Sequence, residues 1–535
     1  MENKNVVVAL ILMLVVWLGY SFLFSPQQPA PTSSPSSAET ESAPVSPAPS
    51  INVASGLNQG SPSVSSTEQA EPRNLTIETE KYRAVFSSVG ARLKAFELKE
   101  YKLSAKPDSQ LVSIVKPSQD RFATLRTTGN EGFALSADAR YTVSVTEDTL
   151  RLAPGESREV VFRSVSPSGL QVEKIFTFRG DQYDFDCRLQ LTNASGLPVS
   201  GNLNLSLIHQ WDDSQEGGQL EFVGPATLAA DKLHTDKVKD LVKEPRSYGQ
   251  DVVWSGFEDK YFLKAVIPLG DGVQKVLVQK DADIVENVFV APPHTLQPGE
   301  TFSLKYLLYF GPKDLDILKV VDHQLARAVD FGFFAPIARP LLYLLKFFYS
   351  FIGNYGVAII LLTAIIKALF WPLTQKSYSS MKAMQKLQPE MLRIKEKFKN
   401  DRERLNRETM ELYKTNRVNP LGGCLPMVVQ IPVFFALYKV LLESIELRHA
   451  PFALWLTDLS AKDPYYITPI VMGATMFIQQ KMTPTNMDPM QAKMFMIMPV
   501  VFTFLFLNFP SGLVIYWLVN NVLTIAQQFF INRKA

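Results

Sequence analysis

The sequence predicts a multi-domain membrane protein: an all-α polytopic bundle of six transmembrane helices, a large external antiparallel β-sandwich and a cytoplasmic helical hairpin. Three observations predict it. Apolar runs of membrane-crossing length lie at 6–24 and recur after 353, residues 74–332 alternate between apolar and polar, and 374–419 repeats large apolar residues every three or four positions. At 535 residues the chain also exceeds the roughly 250–300 at which one hydrophobic core stops growing.

The first run, "VVVALILMLVVWLGYSFLF", has 19 residues, longer than the apolar core of about 7–15 found in cleaved leaders, and reads as a retained anchor over 1–25. Further spans are expected at about 353–373, 420–445, 465–482, 494–509 and 512–531. Six spans put both termini on one side. The 374–419 segment holds twelve Lys and Arg against six Asp and Glu, which makes it cytoplasmic by the positive-inside rule. Lys481, Lys493, Arg533 and Lys534 flank the other inner ends, so residues 25–335 fall outside.

Residues 26–73 are rich in Pro and Ser with few large apolar side chains, the composition of a flexible linker. In the sandwich region, "YDFDCRLQL" sets Tyr183, Phe185, Cys187, Leu189 and Leu191 on one strand face, and "EKIFTFRGDQ" before it ends in a Gly-Asp turn, so a hairpin is expected. A helix over about 313–329 should close the sandwich. His209 reads as a packed histidine and Arg179-Gly180-Asp181 as a hairpin turn. Two cysteines give no disulfide framework, and no metal-ligand spacing occurs. Residues 333–352 form an expected interfacial amphipathic helix, with Arg339 and Lys346 facing lipid phosphate.

In the cytoplasmic segment, Met381, Met384, Leu387, Met391, Ile394 and Phe398 form a helical seam, and a turn at Asn400-Asp401 brings a second helix back. The other face carries Lys382, Lys386, Arg393, Lys395, Lys397, Lys399, Arg402, Arg404 and Arg407. That face is either a solvated topology signal or a landing site for anionic lipid, ribosomal RNA or an acidic polypeptide. Charge alone does not choose.

The run "LLTAIIKALFWPL" places Lys367 within a span, where an isolated charge costs about 2.5–3.5 kcal/mol or more. Either the ammonium snorkels to the inner surface or a hydrated cavity receives it. Thr363 lies one turn before it on the same face, and Gln430, Gln479, Gln480, Tyr516, Asn520 and Asn521 offer polar groups on other spans. Eight of the fifteen methionines fall in 472–498. No phosphate-binding glycine loop occurs, so no nucleotide is implied.

The motifs "NPLGGC" (419–424), "PFALWLTDLS" (451–460), "DPYYI" (463–467), "DPMQ" (488–491) and "FPSGLVIYW" (509–517) resemble those of the YidC, Oxa and Albino family of membrane protein insertases. The resemblance implies a five-helix core over 353–535 around a hydrophilic groove, and a sandwich similar to galactose mutarotases. It implies an insertase and chaperone, not an enzyme, working on nascent membrane proteins in the bacterial inner membrane. A monomer would suffice, without cofactor, and the ribosome, the Sec translocon and membrane lipids would be its partners. Lys367, Thr363 and Tyr516 match residues that matter for insertion in the family. Its best-known member has Arg where this chain has Lys367, and the short "NRKA" ending leaves ribosome contact to the hairpin. A small-anion transporter using Lys367 and an anchored envelope sugar-binding protein are the rival readings.

Overall fold

The structure, a computed structural model, describes residues 71–116, 119–215, 217, 221–416, 418, 425–483 and 489–534. The expected anchor and nearly all of the linker lie outside the described residues. Among the described residues, twenty strands between Asn74 and Pro312 form sheets of five, nine and six strands. The expected hairpin is present: Leu170–Arg179 pairs antiparallel with Asp184–Asn193, Cys187 opposite Phe176. Its alternating residues Phe185, Cys187, Leu189 and Leu191 are all buried.

The hairpin's own rings form part of an aromatic core. Phe86 meets Phe176 at 4.8 Å between ring centroids, Phe178 meets Phe185 at 5.4 Å, and Phe185 meets Phe310 at 5.7 Å. Tilted contacts at these spacings suit the quadrupoles of the rings. The sandwich is not wholly antiparallel, because Asn74–Glu78 pairs parallel with Thr149–Arg151 at one sheet edge.

Two lysines are buried within the sandwich. Lys174 is fully enclosed, its ammonium donating to Leu125 O at 2.7 Å and to Gly90 O at 3.2 Å. Lys264, 3% exposed, donates to Ile208 O at 2.8 Å.

One short helix, α1 (Val238–Leu241), interrupts the strands, and α2 (Leu315–Val321) follows the last of them. The Asp314 carboxylate caps α2 by accepting from the amides of Asp316 and Ile317. The single helix expected over 313–329 is broken. Asp322, His323 and Gln324 take left-handed φ values of 67°, 49° and 57°, and a 3₁₀ turn at Leu325–Ala328 follows.

Helix α3 (Ala335–Ile352) ends at Gly353, whose φ of 68° is the left-handed cap that glycine supplies without a Cβ penalty. Arg339 on it is exposed. Lys346, expected to face lipid phosphate, is turned instead to carboxylates of the protein. Its ammonium pairs with Asp316, lies 3.2 Å from Glu446 and 3.7 Å from Asp314, and so ties α2 and the segment after α7 to α3. Burial raises the Glu446 carboxyl and Lys346 opposes that rise. Arg448 adds a second tie, donating to Lys102 O and lying 5.4 Å from the Phe262 ring centroid.

Asn354 caps α4 (Tyr355–Lys386), which continues thirteen residues past the expected end at 373. Pro389, in the first turn of α5 (Gln388–Lys397), explains the break after Leu387, since proline tolerates only a helix start. Asp401 caps α6 (Arg402–Thr415), accepting from the Arg404 amide at 3.0 Å. The α5–α6 hairpin is thus shorter than the expected 374–419, and Met381 and Met384 belong to α4. The Tyr413 hydroxyl meets Met391 Sδ at 3.0 Å between the two helices.

Helices α7 (Leu425–Glu443), α8 (Ile467–Met482), α9 (Pro489–Phe506) and α10 (Ser511–Lys534) complete the described chain. Among the described residues two helical stretches, Tyr355–Lys386 and Ser511–Ile531, are long and apolar enough to cross a membrane.

Two outcomes follow for stability. Burial pushes Lys174 and Lys264 down to about 7, whereas an unfolded lysine keeps its proton to about 10.4. Between those values the unfolded chain binds more protons, so folding is favoured as pH rises. Cys187, pushed up to about 12 by burial, opposes this only above about 8.5, its unfolded value. Urea unfolding of the full-length protein, read by near-ultraviolet circular dichroism, is expected to show the sandwich gaining stability from pH 7 to about 8.5. Lys174→Met should flatten that slope. Lys346→Met leaves three carboxylates without their shared cation and should destabilise by about 2–4 kcal/mol, allowing for partial exposure. Thermal unfolding beside Lys346→Arg, which keeps the charge, checks it.

Candidate functional site

Helix α10 is apolar along most of its length but carries polar residues at Tyr516, Asn520, Thr524 and Gln528, each four after the last. Steps of four stay on one helix face, so these side chains form a single stripe. Asn521 and Gln527 widen it. Asn521, Thr524, Gln527 and Gln528 are all nearly fully buried, so the stripe faces other helices.

Lys367, half-buried on α4, sends its ammonium inward to this stripe and donates to Thr524 Oγ1 at 2.8 Å. The Thr524 hydroxyl gives its own proton to Asn520 O one turn back at 2.6 Å. That bond fixes the hydroxyl's orientation and leaves an oxygen lone pair for the ammonium. Among the described residues Lys367 forms no ion pair with a carboxylate, so the cation is held by neutral dipoles.

Other helices reach the same stripe. Gln430 of α7 donates to Asn520 Oδ1 at 3.3 Å, and Asn521 donates to Thr475 of α8 at 3.4 Å. Toward the chain end, Gln528 donates to Thr483 Oγ1 at 3.0 Å and to the Tyr378 hydroxyl, while Gln527 reaches Trp371 O at 3.4 Å. The stripe therefore binds α4, α7 and α8 through side-chain amides and hydroxyls.

Gln430, Asn520 and Lys367 do converge. Thr363 is buried one turn before Lys367, but its hydroxyl donates to Ile359 O of its own helix at 2.6 Å. Tyr516 is buried and stacks on Phe434, centroids 6.2 Å apart, at the apolar end of the stripe. The backbone carbonyls of Gln479 and Gln480 accept from the Thr483 amide. The acceptor that holds Lys367, Thr524, was missed. It was reachable by extending the step from Tyr516 to Asn520 by one more turn.

On the hairpin and the end of α4, Lys386, Arg393, Lys395, Lys397, Lys399, Arg404 and Arg407 are exposed and Lys382 is half-buried. Arg402 is the first residue of α6. Lys397 and Arg404 lie 5.3 and 5.8 Å from the Phe398 ring centroid. Among the described residues no group of three His, Cys, Asp or Glu side chains could hold a metal ion.

Comparison with known proteins adds to this geometry. Residues 74–344 match the family described as the YidC periplasmic domain, and 347–535 match the 60Kd inner membrane protein family. A membrane protein insertase YidC from Citrifermentans bemidjiense is 47% identical over 536 residues and covers 99% of each chain. Another, from Geobacter metallireducens, is 49% identical over 99% of this chain and 98% of its own. Among solved structures, an active YidC insertase is 17% identical over 85% of this chain and 92% of its own, with a TM-score of 0.35. A galactose mutarotase-like protein from Lactobacillus casei is 10% identical, covering 44% of this chain and all of its own, with a TM-score of 0.32.

Replacing Thr524 by Val keeps the shape but removes the hydroxyl that accepts from Lys367. A buried donor left without its partner costs about 1–3 kcal/mol. Thr524→Val is expected to lower the unfolding midpoint of the helical region in detergent, and Thr524→Ser, which restores the oxygen, to recover most of it.

Proposed function

The chain belongs to the family of YidC membrane protein insertases, and we propose that the stripe joining Lys367, Thr524, Asn520 and Gln430 is the polar path along which it admits a client segment. The observation that carries this is the inward turn of the Lys367 ammonium. A cation that only set topology would gain more by reaching the aqueous surface, where hydration is free. Held instead by one hydroxyl oxygen, it keeps donors for an incoming acidic or polar flank.

The arrangement of the chain in the membrane follows the charge distribution. Residues 1–25 anchor the chain and 26–73 tether the sandwich, which occupies 74–332 in the periplasm. The α3 helix, within 333–352, lies at the outer interface. Residues 353–535 supply five of six spans, with the hairpin and both termini in the cytoplasm. Thr363 and Tyr516 border the path, one on α4 and one on α10. The basic residues of the hairpin and the end of α4, Lys382, Lys386, Arg393, Lys395, Lys397, Lys399, Arg402 and Arg404, give ribosomal RNA or anionic lipid an electrostatic landing surface. Cooperation with the Sec translocon fits the same placement.

The work of insertion comes from the client. An apolar segment leaving water gains roughly 25 cal/mol per Å² of surface buried, enough to drive transfer without nucleotide. What opposes it is the polar flank, which must cross the same oily layer. Lys367 and the amides of the stripe lower that barrier by replacing some of the flank's hydration. No covalent bond is made or broken, so the protein acts as a catalyst of transfer and not as an enzyme of substrate chemistry.

The test is insertion of a single-span client with an acidic outer tail into vesicles holding the full-length protein. Lys367→Ala is expected to slow insertion about tenfold, the change made by about 1.4 kcal/mol of lost attraction. Lys367→Arg should retain it. Full activity in Lys367→Ala removes the charge from the mechanism.

A further inference from the structure

The sandwich holds a cleft of about 480 Å³ far from Lys367 in sequence, walled by Val112, Val115, Phe122, Phe257 and Phe262. That is within the roughly 300–1,000 Å³ of small-molecule sites, which pair apolar walls with a few fixed polar groups. Here the polar group is Lys264. Its side chain is 3% exposed, lines the cleft, and lies 5.6 Å from the Phe257 ring centroid.

The two buried lysines of the sandwich make an internal comparison. Lys174 is sealed in the core and spends its donors on two carbonyls, so it needs nothing more. Lys264 has one carbonyl, Ile208 O, and among the described residues no second hydrogen bond and no ion pair. An ammonium has three donors, and burying a charge without a partner is costly. Two donors of Lys264 are thus left for whatever occupies the cleft.

The neighbours of Lys264 do not supply a counter-charge. His209 lies flat on Phe257, ring centroids 3.6 Å apart, with Nε2 3.2 Å from Gln215 Oε1. Burial and the nearby Lys264 hold its imidazole neutral, well below its usual range. Lys116, exposed, adds another cation to the lining. Two carboxylates also line the cleft, and both are engaged elsewhere. Asp259 Oδ1 accepts from the amides of Tyr261 and Phe262 at 2.8 Å each, and Asp212 accepts from the Ser214 amide at 2.8 Å.

We propose that this cleft binds an amphipathic organic anion, its apolar body against the Phe122, Phe257 and Phe262 walls and its carboxylate or phosphate head on the Lys264 ammonium. The site is separate from the polar stripe of α10 and would operate whether or not a client is being inserted.

The experiment uses the full-length protein in zwitterionic lipid nanodiscs, with benzoate and phenyl phosphate as probes and benzamide as the neutral control. In the unmodified protein, acetic anhydride is applied at a dose high enough to acetylate Lys264 measurably without any probe, and mass spectrometry then locates the label. Benzoate or phenyl phosphate should protect Lys264 and leave the exposed Lys305 labelled as before; which probe protects at lower concentration tells whether the head is carboxylate or phosphate. By calorimetry, Lys264→Met should weaken probe binding at least about tenfold. Three results would each overturn the proposal: no protection of Lys264 in the unmodified protein, equal protection by benzamide, or unchanged probe affinity in a folded Lys264→Met variant.

Discussion

An ammonium group inside an apolar helix has to be given hydrogen-bond acceptors, and the arrangement of the helical region depends on how that demand is met at Lys367. A single hydroxyl, Thr524 Oγ1, receives it at 2.8 Å. For that oxygen to be in place, α10 must present one face to α4 along several turns. The same face then carries Asn520, Asn521, Gln527 and Gln528 to α7, α8 and α4. Helices surrounded by lipid gain little from burying apolar surface against each other, so side-chain hydrogen bonds and close packing hold them together. Close packing is visible where Gly356 of α4 meets the Phe452 ring and Gly473 of α8 meets Thr503 of α9, positions with no room for a Cβ.

Four of the lysines that sit in partly or wholly dry surroundings, Lys174, Lys346, Lys367 and Lys264, resolve their charge differently. Lys174 uses backbone carbonyls, Lys346 gathers three carboxylates, Lys367 leans on a hydroxyl, and Lys264 faces a cleft. The first two are complete as they stand and serve architecture. The other two keep donors in reserve, and it is on these that functional readings rest.

Much of the architecture was legible in the sequence, because it rests on patterns confined to one element. Alternation named the buried face of Asp184–Asn193, the Gly-Asp turn named its hairpin, and Asp401 marked the start of α6. Gln430, Asn520 and Lys367 were picked out as lone polar residues in apolar runs, a strong contrast. What stayed hidden depends on contacts between distant segments. The four-residue step from Tyr516 through Asn520 puts Thr524 on the polar face, but that it receives the Lys367 ammonium shows only when α4 is laid beside it. Lys346 read as a headgroup ligand because its acidic partners lie 30 and 100 residues away, at Asp316 and Glu446. The span expected over 353–373 lies on a helix that runs on to Lys386, because helix propensity continues past the end of the apolar run to the proline at 389.

That continuity of α4 joins the surroundings of Lys367 to the α5–α6 hairpin through one helix. One unbroken helix of 32 residues carries Lys367 and ends beside the α5–α6 hairpin, and Pro372, which removes a backbone hydrogen bond, is its natural fulcrum. The fourteen residues from Pro372 to Lys386 make an arm of about 21 Å, and the five back to Lys367 one of about 7.5 Å. A 10° swing at the hairpin end would sweep its tip through about 4 Å while shifting Lys367 by little more than about 1 Å. The geometry of one long helix thus leaves the Lys367 ammonium close to its hydroxyl for small displacements of the far end.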